Sequence, residues 1–138
     1  MIFIGEQIIE SLNENITFPG VSVKDYYAVS KLTTPLITVN EMPGIPIRFF
    51  DGQPYIVRNS YQFETYGKAQ MLYGRPVSAV EVAKQLMEQT DLILNTVFGL
   101  TQVGDATFAP LPSDPTVIRG VVRYRGDIDT ITETIYRE

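Results

Sequence analysis

The sequence predicts an α+β fold, in which a mainly antiparallel sheet is flanked by an N-terminal helix and one long amphipathic helix. The predicted order of elements is helix, strands, helix and hairpin, and strands that follow one another favour antiparallel pairing. Residues 78–98 carry an apolar stripe at helical spacing. Residues 55–66 alternate between apolar and polar side chains, which is typical of a half-buried strand.

The composition excludes several classes of function. The chain has 138 residues and a mass of 15.5 kDa, so we expect residues 1–138 to form a single domain. It contains no cysteine and no histidine, which excludes thiolate and imidazole metal ligands and the Ser-His and Cys-His nucleophile pairs. Its acidic residues are scattered along the chain. We therefore expect no catalytic residue, no bound metal and no cofactor.

The charge pattern bears on partners and location. The net charge is −5, which argues against a general nucleic-acid binder or a protein of anionic membranes. The first residues lack the basic start and long apolar run of a signal peptide. The most apolar helix candidate contains Glu81, Lys84, Glu88 and Asp91, so it is not a membrane span. We expect synthesis in the cytoplasm and no membrane partner.

Two helices are predicted. The first covers residues 3–14, where one side is apolar: Phe3, Ile4, Ile8, Ile9 and Leu12. The second begins at Ser78, which forms a capping box with Glu81, and ends before Gly99. Its predicted core stripe consists of Ala79, Ala83, Leu86, Met87, Thr90, Ile93, Leu94, Val97 and Phe98.

The first strands are predicted at residues 35–41 and 55–66. Between them, residues 42–54 are rich in proline and glycine, and residues 47–50 are flanked too closely by these breakers for a long strand. In the second strand, one face is apolar and consists of Tyr55, Val57, Tyr61 and Phe63. The other face is predicted to be wet and consists of Arg58, Ser60, Gln62 and Glu64.

The C-terminal part is predicted to be a long loop and a hairpin. Residues 100–115 contain one glycine and three prolines and are expected to be a loop. Strands at 116–125 and 128–136 would then flank a turn at Gly126-Asp127, which also explains the tripeptide Arg125-Gly126-Asp127. In that register Val122 faces Ile131 and Tyr124 faces Asp129. The expected core face consists of Ile118, Val122, Tyr124, Ile131 and Ile135, and the wet face includes Arg123, Arg125 and Thr130.

Seven residues are predicted to make contacts with other protein chains. Aromatic side chains flanked by proline and glycine suit such contacts, where Tyr is enriched. The long loop adds apolar residues beside its prolines. Arg119, Arg123 and Arg125 are expected to pair with acids on a neighbouring chain. The predicted interface residues are Phe49, Phe50, Tyr55, Phe108, Leu111, Arg123 and Arg125.

Three features of the layout resemble a known family. A short N-terminal helix leads into strands. Residues 61–68, Tyr-Gln-Phe-Glu-Thr-Tyr-Gly-Lys, run shortly into the amphipathic helix at 79–98. A terminal hairpin begins with residues 119–125, Arg-Gly-Val-Val-Arg-Tyr-Arg, and continues from 128 to 137. Over most of its length the chain resembles the tail terminator, or tail-completion, proteins of long-tailed bacteriophages.

The resemblance implies a structural role in the virion, at the tail and neck. Such proteins have an α+β fold, form a hexameric ring on the last ring of the tail tube, stop its growth and meet the head-completion complex. The implied partners are further copies of the chain, the tail tube protein and a neck or head-completion protein. DNA would only pass through the lumen, because acidic walls repel phosphate. The family has no catalytic residue and no cofactor.

Other function classes stay open on the sequence. The chain could be another neck or head-tail joining protein. It could also be a small non-catalytic α+β binding module, or a small enzyme that uses Asp, Glu or Tyr.

Overall fold

The computed structural model describes residues 4–129, 131–132 and 134–135. The elements in chain order are α1 (Gly5–Asn15), β1 (Ser22–Asp25), a 3₁₀ turn (Tyr26–Ala28), β2 (Leu36–Phe50), β3 (Gln53–Lys68), β4 (Gln70–Leu72), β5 (Arg75–Val77), α2 (Ala79–Ile93) with a π-helical last turn (Leu94–Phe98), β6 (Thr101–Gln102), β7 (Thr107–Leu111), β8 (Asp114–Asp129) and β9 (Thr134–Ile135). Phe3, Thr130 and Tyr136, which the sequence assigned to elements, lie outside the described residues.

One sheet organises the molecule. Its order is β1-β2-β3-β8, and β7, β6 and β9 pair in turn along the far edge of β8. Only β1 and β2 are parallel among these pairs of described strands. Helix α1 packs over β1 and β2, and α2 packs over β3 and β8. The predicted α+β fold with a mainly antiparallel sheet and two flanking helices is confirmed.

The core lies between the helices and one face of the sheet. Helix α1 buries Ile8 and Leu12, as its apolar spacing predicts. Its first turn has no side-chain cap of its own, and the Glu41 carboxylate of β2 accepts hydrogen bonds from the N–H groups of Ile4 (2.9 Å) and Gly5 (3.1 Å). A carboxylate in this position satisfies orphan donors and opposes the positive end of the helix dipole. The helix is thereby fixed to β2.

Helix α2 begins as predicted. The Ser78 hydroxyl accepts a hydrogen bond from the Glu81 N–H (3.2 Å), and Gly99 ends the helix in the left-handed conformation at φ 65°. The last turn is π-helical, and this wider turn rotates its residues relative to an α-helical stripe. Leu94 and Phe98 stay buried, whereas Val97 is 51% exposed. The prediction that Val97 belongs to the core was therefore wrong.

Strand β2 continues through the segment that was expected to break it. Residues 42–50 pair with 53–60, and register shifts between Met42 and Ile45 and on either side of Arg48 accommodate the extra residues. Such bulges let a strand carry proline and glycine without ending. The hairpin turns at Asp51-Gly52, where both residues have positive φ, as a two-residue type I′ turn requires.

Strand β8 also extends past its predicted end. Gly126 and Asp127 lie within the strand, opposite Asn59 and Arg58. A Cβ atom at Gly126 would lie 2.4 Å from Cδ2 of Leu100, so this glycine serves a close approach and not a turn.

The register of the C-terminal hairpin was therefore predicted wrongly. The chain reverses after Asp129, and β9 pairs Ile135 with Ile128. Val122 pairs with Phe63 and not with Ile131, and Tyr124 pairs with Tyr61 and not with Asp129. Ile131 is 77% exposed, so it does not belong to the core. The predicted core positions Ile118, Val122 and Tyr124 are buried.

The predicted loop at 100–115 contains two strands. Thr101 and Gln102 pair with β8, and so do residues 107–111. Pro110 is tolerated because β7 is an edge strand, where a missing N–H leaves no ladder partner unpaired. With the start of β8 at Asp114, more than half of the expected loop therefore belongs to the sheet.

Candidate functional site

The first group of predicted contact residues lies at the tip of the β2–β3 hairpin. We call residues 49–55 the hairpin tip; it extends past the end of β8, whose pairing with β3 begins at Ile56. Phe49 is 60% exposed and Tyr55 is half-buried. Phe50 is the last residue of β2, and its side chain lies outside what the structure describes.

The second group lies on β7 and β8. Phe108 and Leu111 are half-buried on β7, and Phe108 packs against the core. The Lys84 ammonium lies 5.9 Å from the centre of its ring. The prediction that Phe108 lies in a free loop is therefore wrong, because Phe108 belongs to β7, whereas its contact with another chain stays a prediction.

The hairpin tip and β7 stand at opposite edges of the sheet. Strand β1 covers only residues 36–39 of β2, and no strand of the described chain pairs with the rest of that edge. At the other edge, β7 pairs only with β8 within the same part of the chain. Pro46 on β2 and Pro110 on β7 lack the N–H that a further strand would need, which limits unwanted pairing. Both edges therefore suit contacts through side chains better than a continuous backbone ladder.

The face of the sheet opposite the helices carries the predicted arginines. We call this the bare face; Ser60, Gln62, Arg123 and Arg125 lie on it, with Gln62 opposite Arg123 and Ser60 opposite Arg125. Both arginines are exposed, as predicted for a wet face. Nε of Arg123 donates to Oε1 of Gln62 (3.1 Å), and among the described residues none forms an ion pair with Arg125.

Glu64 departs from the predicted wet face, because it is only 1% exposed. Its carboxylate accepts hydrogen bonds from the Tyr66 hydroxyl (2.6 Å), Nε2 of Gln62 (3.1 Å) and Nε of Arg119 (3.0 Å). Nη2 of Arg119 donates to the same carboxylate. A buried carboxylate needs such a set of partners to offset its desolvation. Arg119 therefore pairs with Glu64 of its own chain, whereas the sequence had predicted that it pairs with acids on a neighbouring chain.

A groove of about 280 Å³ separates α2 from β7 and β8. Its floor is apolar, with Met87, Phe108 and Val122, and its rim is charged, with Glu88 and Asp91. The Tyr124 hydroxyl donates to the Asp91 carboxylate. Burial, together with that hydrogen bond, raises the pKa of Tyr124 well above its usual range. Sequence reasoning missed the pair because its two residues are 33 positions apart.

A second pocket lies under the segment that follows β1. It has a volume of about 360 Å³ and is lined by Tyr26, Tyr27, Val29, Leu32, Leu36, Thr38 and Tyr66. The rings of Tyr26 and Tyr27 meet edge to face, with centres 5.1 Å apart. Tyr27 is 80% exposed, so this aromatic pair is available to another molecule.

Neither pocket assembles a metal site. Among residues 4–129, 131–132 and 134–135, no three His, Cys, Asp or Glu side chains are grouped so that they could hold a metal ion. In the same part of the chain, no helix has the length and apolar character needed to cross a membrane. Compared with known proteins, the chain matches no family model and no curated protein.

Proposed function

We propose that this chain is a tail terminator, a structural protein that forms a closed hexameric ring at the head-proximal end of a phage tail tube and joins the tail to the neck. The observation that carries the proposal is the placement of the hairpin tip and β7 at opposite edges of one sheet. Contacts between two different surfaces of identical chains run head to tail, and they give a ring when the rotation closes.

The side chains at the β2 edge support such a contact. Ile45 is 66% exposed and Phe49 is 60% exposed, and both lie on the part of β2 that β1 does not cover. Aromatic side chains are enriched at interface cores, where they contribute a large contact area. The nearby prolines limit the conformational freedom that these segments lose on docking. We expect residues 42–55 and 100–115 to supply most of the contacts between subunits or with the tube.

The charge of the chain suits passage of DNA. Each copy carries a net charge of −5. A ring of such copies has a negative field, which repels phosphate and lets DNA slide without binding. We expect acidic side chains to face the lumen.

Deleting the gene and imaging the particles tests the proposal. Loss of a terminator gives overlong tubes of variable length. Normal tails that still join heads contradict the role. Tails of uniform, normal length that fail to join heads indicate the other structural candidate, a neck or head-tail joining protein.

Complementation separates assembly from folding. Phe49→Ser should fail to restore uniform tails, because it removes an exposed aromatic ring from the hairpin tip. Met71→Ser is the matched control, since Met71 is 63% exposed on the separate β4–β5 hairpin. Equal rescue by both variants argues against the hairpin tip as a contact.

The groove between α2 and β7 favours a second candidate, a non-catalytic binding module. Its apolar floor and charged rim are features of small-ligand sites. A small-molecule binder would show normal particles after gene deletion, and the groove variant Ala106→Trp, at a half-buried lining position, would abolish ligand binding.

A further inference from the structure

Helix α1 presents a row of uncompensated negative charge. Glu6, Glu10 and Glu14 repeat every four residues and are all exposed. Its eleven residues include no lysine or arginine, and no described residue forms an ion pair with any of the three glutamates. Residues four apart share one side of a helix, so this row points away from the buried Ile8 and Leu12.

The bare face presents the opposite charge. Its Arg58 is paired with Asp127 (2.8 Å) and its Arg119 with Glu64, so those guanidinium groups are neutralised within the chain. Arg123 and Arg125 remain exposed beside them and have no carboxylate partner among the described residues. A chain of net charge −5 therefore carries a local positive patch on this face.

The spacing of the two rows matches. Glutamates four residues apart on α1 are separated by about 6 Å along the helix axis. Arginines two residues apart on β8 are separated by about 6.6 Å along the strand. Two parallel ion pairs can therefore form at once between one helix and one strand.

The two rows lie on opposite faces and toward opposite sides of the sheet, as a head-to-tail contact between copies requires. Helix α1 covers β1 and β2 at one side of the sheet, whereas β8 lies toward the other side and its arginines point from the opposite face. If each copy is shifted sideways so that it partly overlaps the next, the bare face of one copy contacts α1 of its neighbour. The same step brings the β7 edge of the first copy toward the β2 edge of the second.

We infer that Arg123 and Arg125 of one copy dock against Glu10 and Glu14 of the next copy. This inference rests on the proposed ring and names the charged contact that orients its subunits. Exposed ion pairs contribute little to affinity, so the pairs set orientation and register while the apolar edges supply most of the affinity.

A DNA backbone is the competing occupant of the arginine patch. Strong non-specific DNA binding uses about 6–10 phosphate contacts, whereas this patch offers two guanidinium groups that have no carboxylate partner among the described residues. The surrounding field of the chain is negative and opposes phosphate. A second copy with an acidic helix fits these conditions better.

The test is charge reversal on each side, with assembly followed by sedimentation velocity. In Arg123→Glu/Arg125→Glu, the bare face becomes acidic like the glutamate row on α1. In Glu10→Arg/Glu14→Arg, α1 becomes basic like the arginines of the bare face. Each variant alone should require an about tenfold or higher concentration to self-associate, because like charges then meet. An equimolar mixture should regain wild-type assembly, since alternating copies restore opposite charges at every contact of an even-numbered ring.

The control variant has the same change in net charge, but at residues outside the proposed contact. Lys31→Glu/Arg75→Glu changes the net charge by the same amount as Arg123→Glu/Arg125→Glu at exposed positions that belong to neither row, and it should assemble like the wild-type chain. Circular dichroism checks that all variants are folded.

Three results overturn the inference. The first is a wild-type chain that stays monomeric at every concentration. The second is a mixture that assembles no better than either reversed variant alone. The third is loss of binding to double-stranded DNA in Arg123→Glu/Arg125→Glu with unchanged self-association. If the chain assembles and the mixture fails, the ring proposal still stands on the gene-deletion result, and only this contact is rejected.

Discussion

Gly67 shows how one residue positions α2 against the sheet. A Cβ atom at this position would lie 2.6 Å from the amide nitrogen of Ala83 and 2.8 Å from the carbonyl oxygen of Ala79. The neighbouring Thr65 hydroxyl donates to the Ala83 carbonyl oxygen (3.1 Å), so strand and helix meet backbone to backbone. The approach of α2 to β3 therefore depends on the absence of a side chain at Gly67.

We expect Gly67→Ala to lower the free energy of unfolding by about 1–3 kcal/mol, because the clash is with backbone atoms that cannot rotate away. Urea unfolding measures the change. Ser60→Ala, at an exposed position of the same strand, should stay within about 0.5 kcal/mol of the wild-type value. Equal effects of the two substitutions would show that α2 can shift without cost.

At the scale of elements, α2 is the main apolar layer over the sheet. Its inward face buries Val82, Leu86, Thr90 and Ile93, and Leu86 has no exposed surface. Leu92 lies on the outward face of the same helix and is 63% exposed. The two leucines separate the contribution of burial from that of helix propensity.

Leu86→Ala should lower the free energy of unfolding by about 2–5 kcal/mol, since it removes buried methyl groups and leaves a cavity. Leu92→Ala should change it by less than about 0.5 kcal/mol. Chemical denaturation followed by far-UV circular dichroism compares them. A small effect at Leu86 would contradict its place in the core.

Elements with local signals could be predicted from the sequence. Helix α2 has a capping serine, a sustained apolar stripe and a terminal Gly99, and each is set by residues close in the chain. The predicted first strand ended too early, at residue 41. In the structure, bulges accommodate Pro43, Gly44 and Pro46 within β2, and bulges depend on the partner strand. The prediction of a turn at Gly126-Asp127 was wrong, because Gly126 is needed for the close approach of Leu100, which is distant in the sequence.

The candidate site was predicted only in part, because some of its features depend on residues that are distant in the sequence. Exposure of Phe49, Arg123 and Arg125 follows from strand alternation and flanking residues, and the structure confirms it. The burial of Glu64 depends on Arg119, which is 55 positions away and pairs only when β3 and β8 meet. Contact of any of these residues with another chain stays a prediction.

At the scale of the whole molecule, an aromatic cluster joins the two central strands. Tyr61 and Phe63 stack with ring centres 6.4 Å apart, and Phe63 meets Tyr124 edge to face at 5.5 Å. Tyr61 and Tyr124 are almost fully buried. Burial raises the pKa of both phenols well above the usual range, with the Glu41 carboxylate adding to the effect on Tyr61 and Asp91 to that on Tyr124.

The protein should therefore lose stability in alkaline solution. Above about pH 10 the phenols of the unfolded chain release protons that the folded chain retains, so the free energy of unfolding falls as the pH rises toward the folded-state pKa. The expected slope is at most about 1.4 kcal/mol per pH unit for each buried tyrosine. Urea unfolding across this range measures it.

Tyr61→Phe supplies the control for this pH dependence, because it keeps the ring and removes the ionising group. It should make the alkaline slope shallower. A wild-type stability that is constant through this range would contradict the burial of the two phenols.

Strand β8 lies in the middle of the sheet but comes late in the chain, so the sheet can be completed only late in synthesis. Arg58 and Asp127 face each other across the middle of the sheet, yet 69 positions separate them in the chain. The β2–β3 hairpin can form early around its two-residue turn, but one edge of β3 stays open until the ribosome has released β8. Loop closure over such a distance slows folding, and an open strand edge invites association with other chains in the meantime. Association between nascent copies of the chain is therefore most favoured, and chaperone binding at the β3 edge most valuable, before β8 emerges.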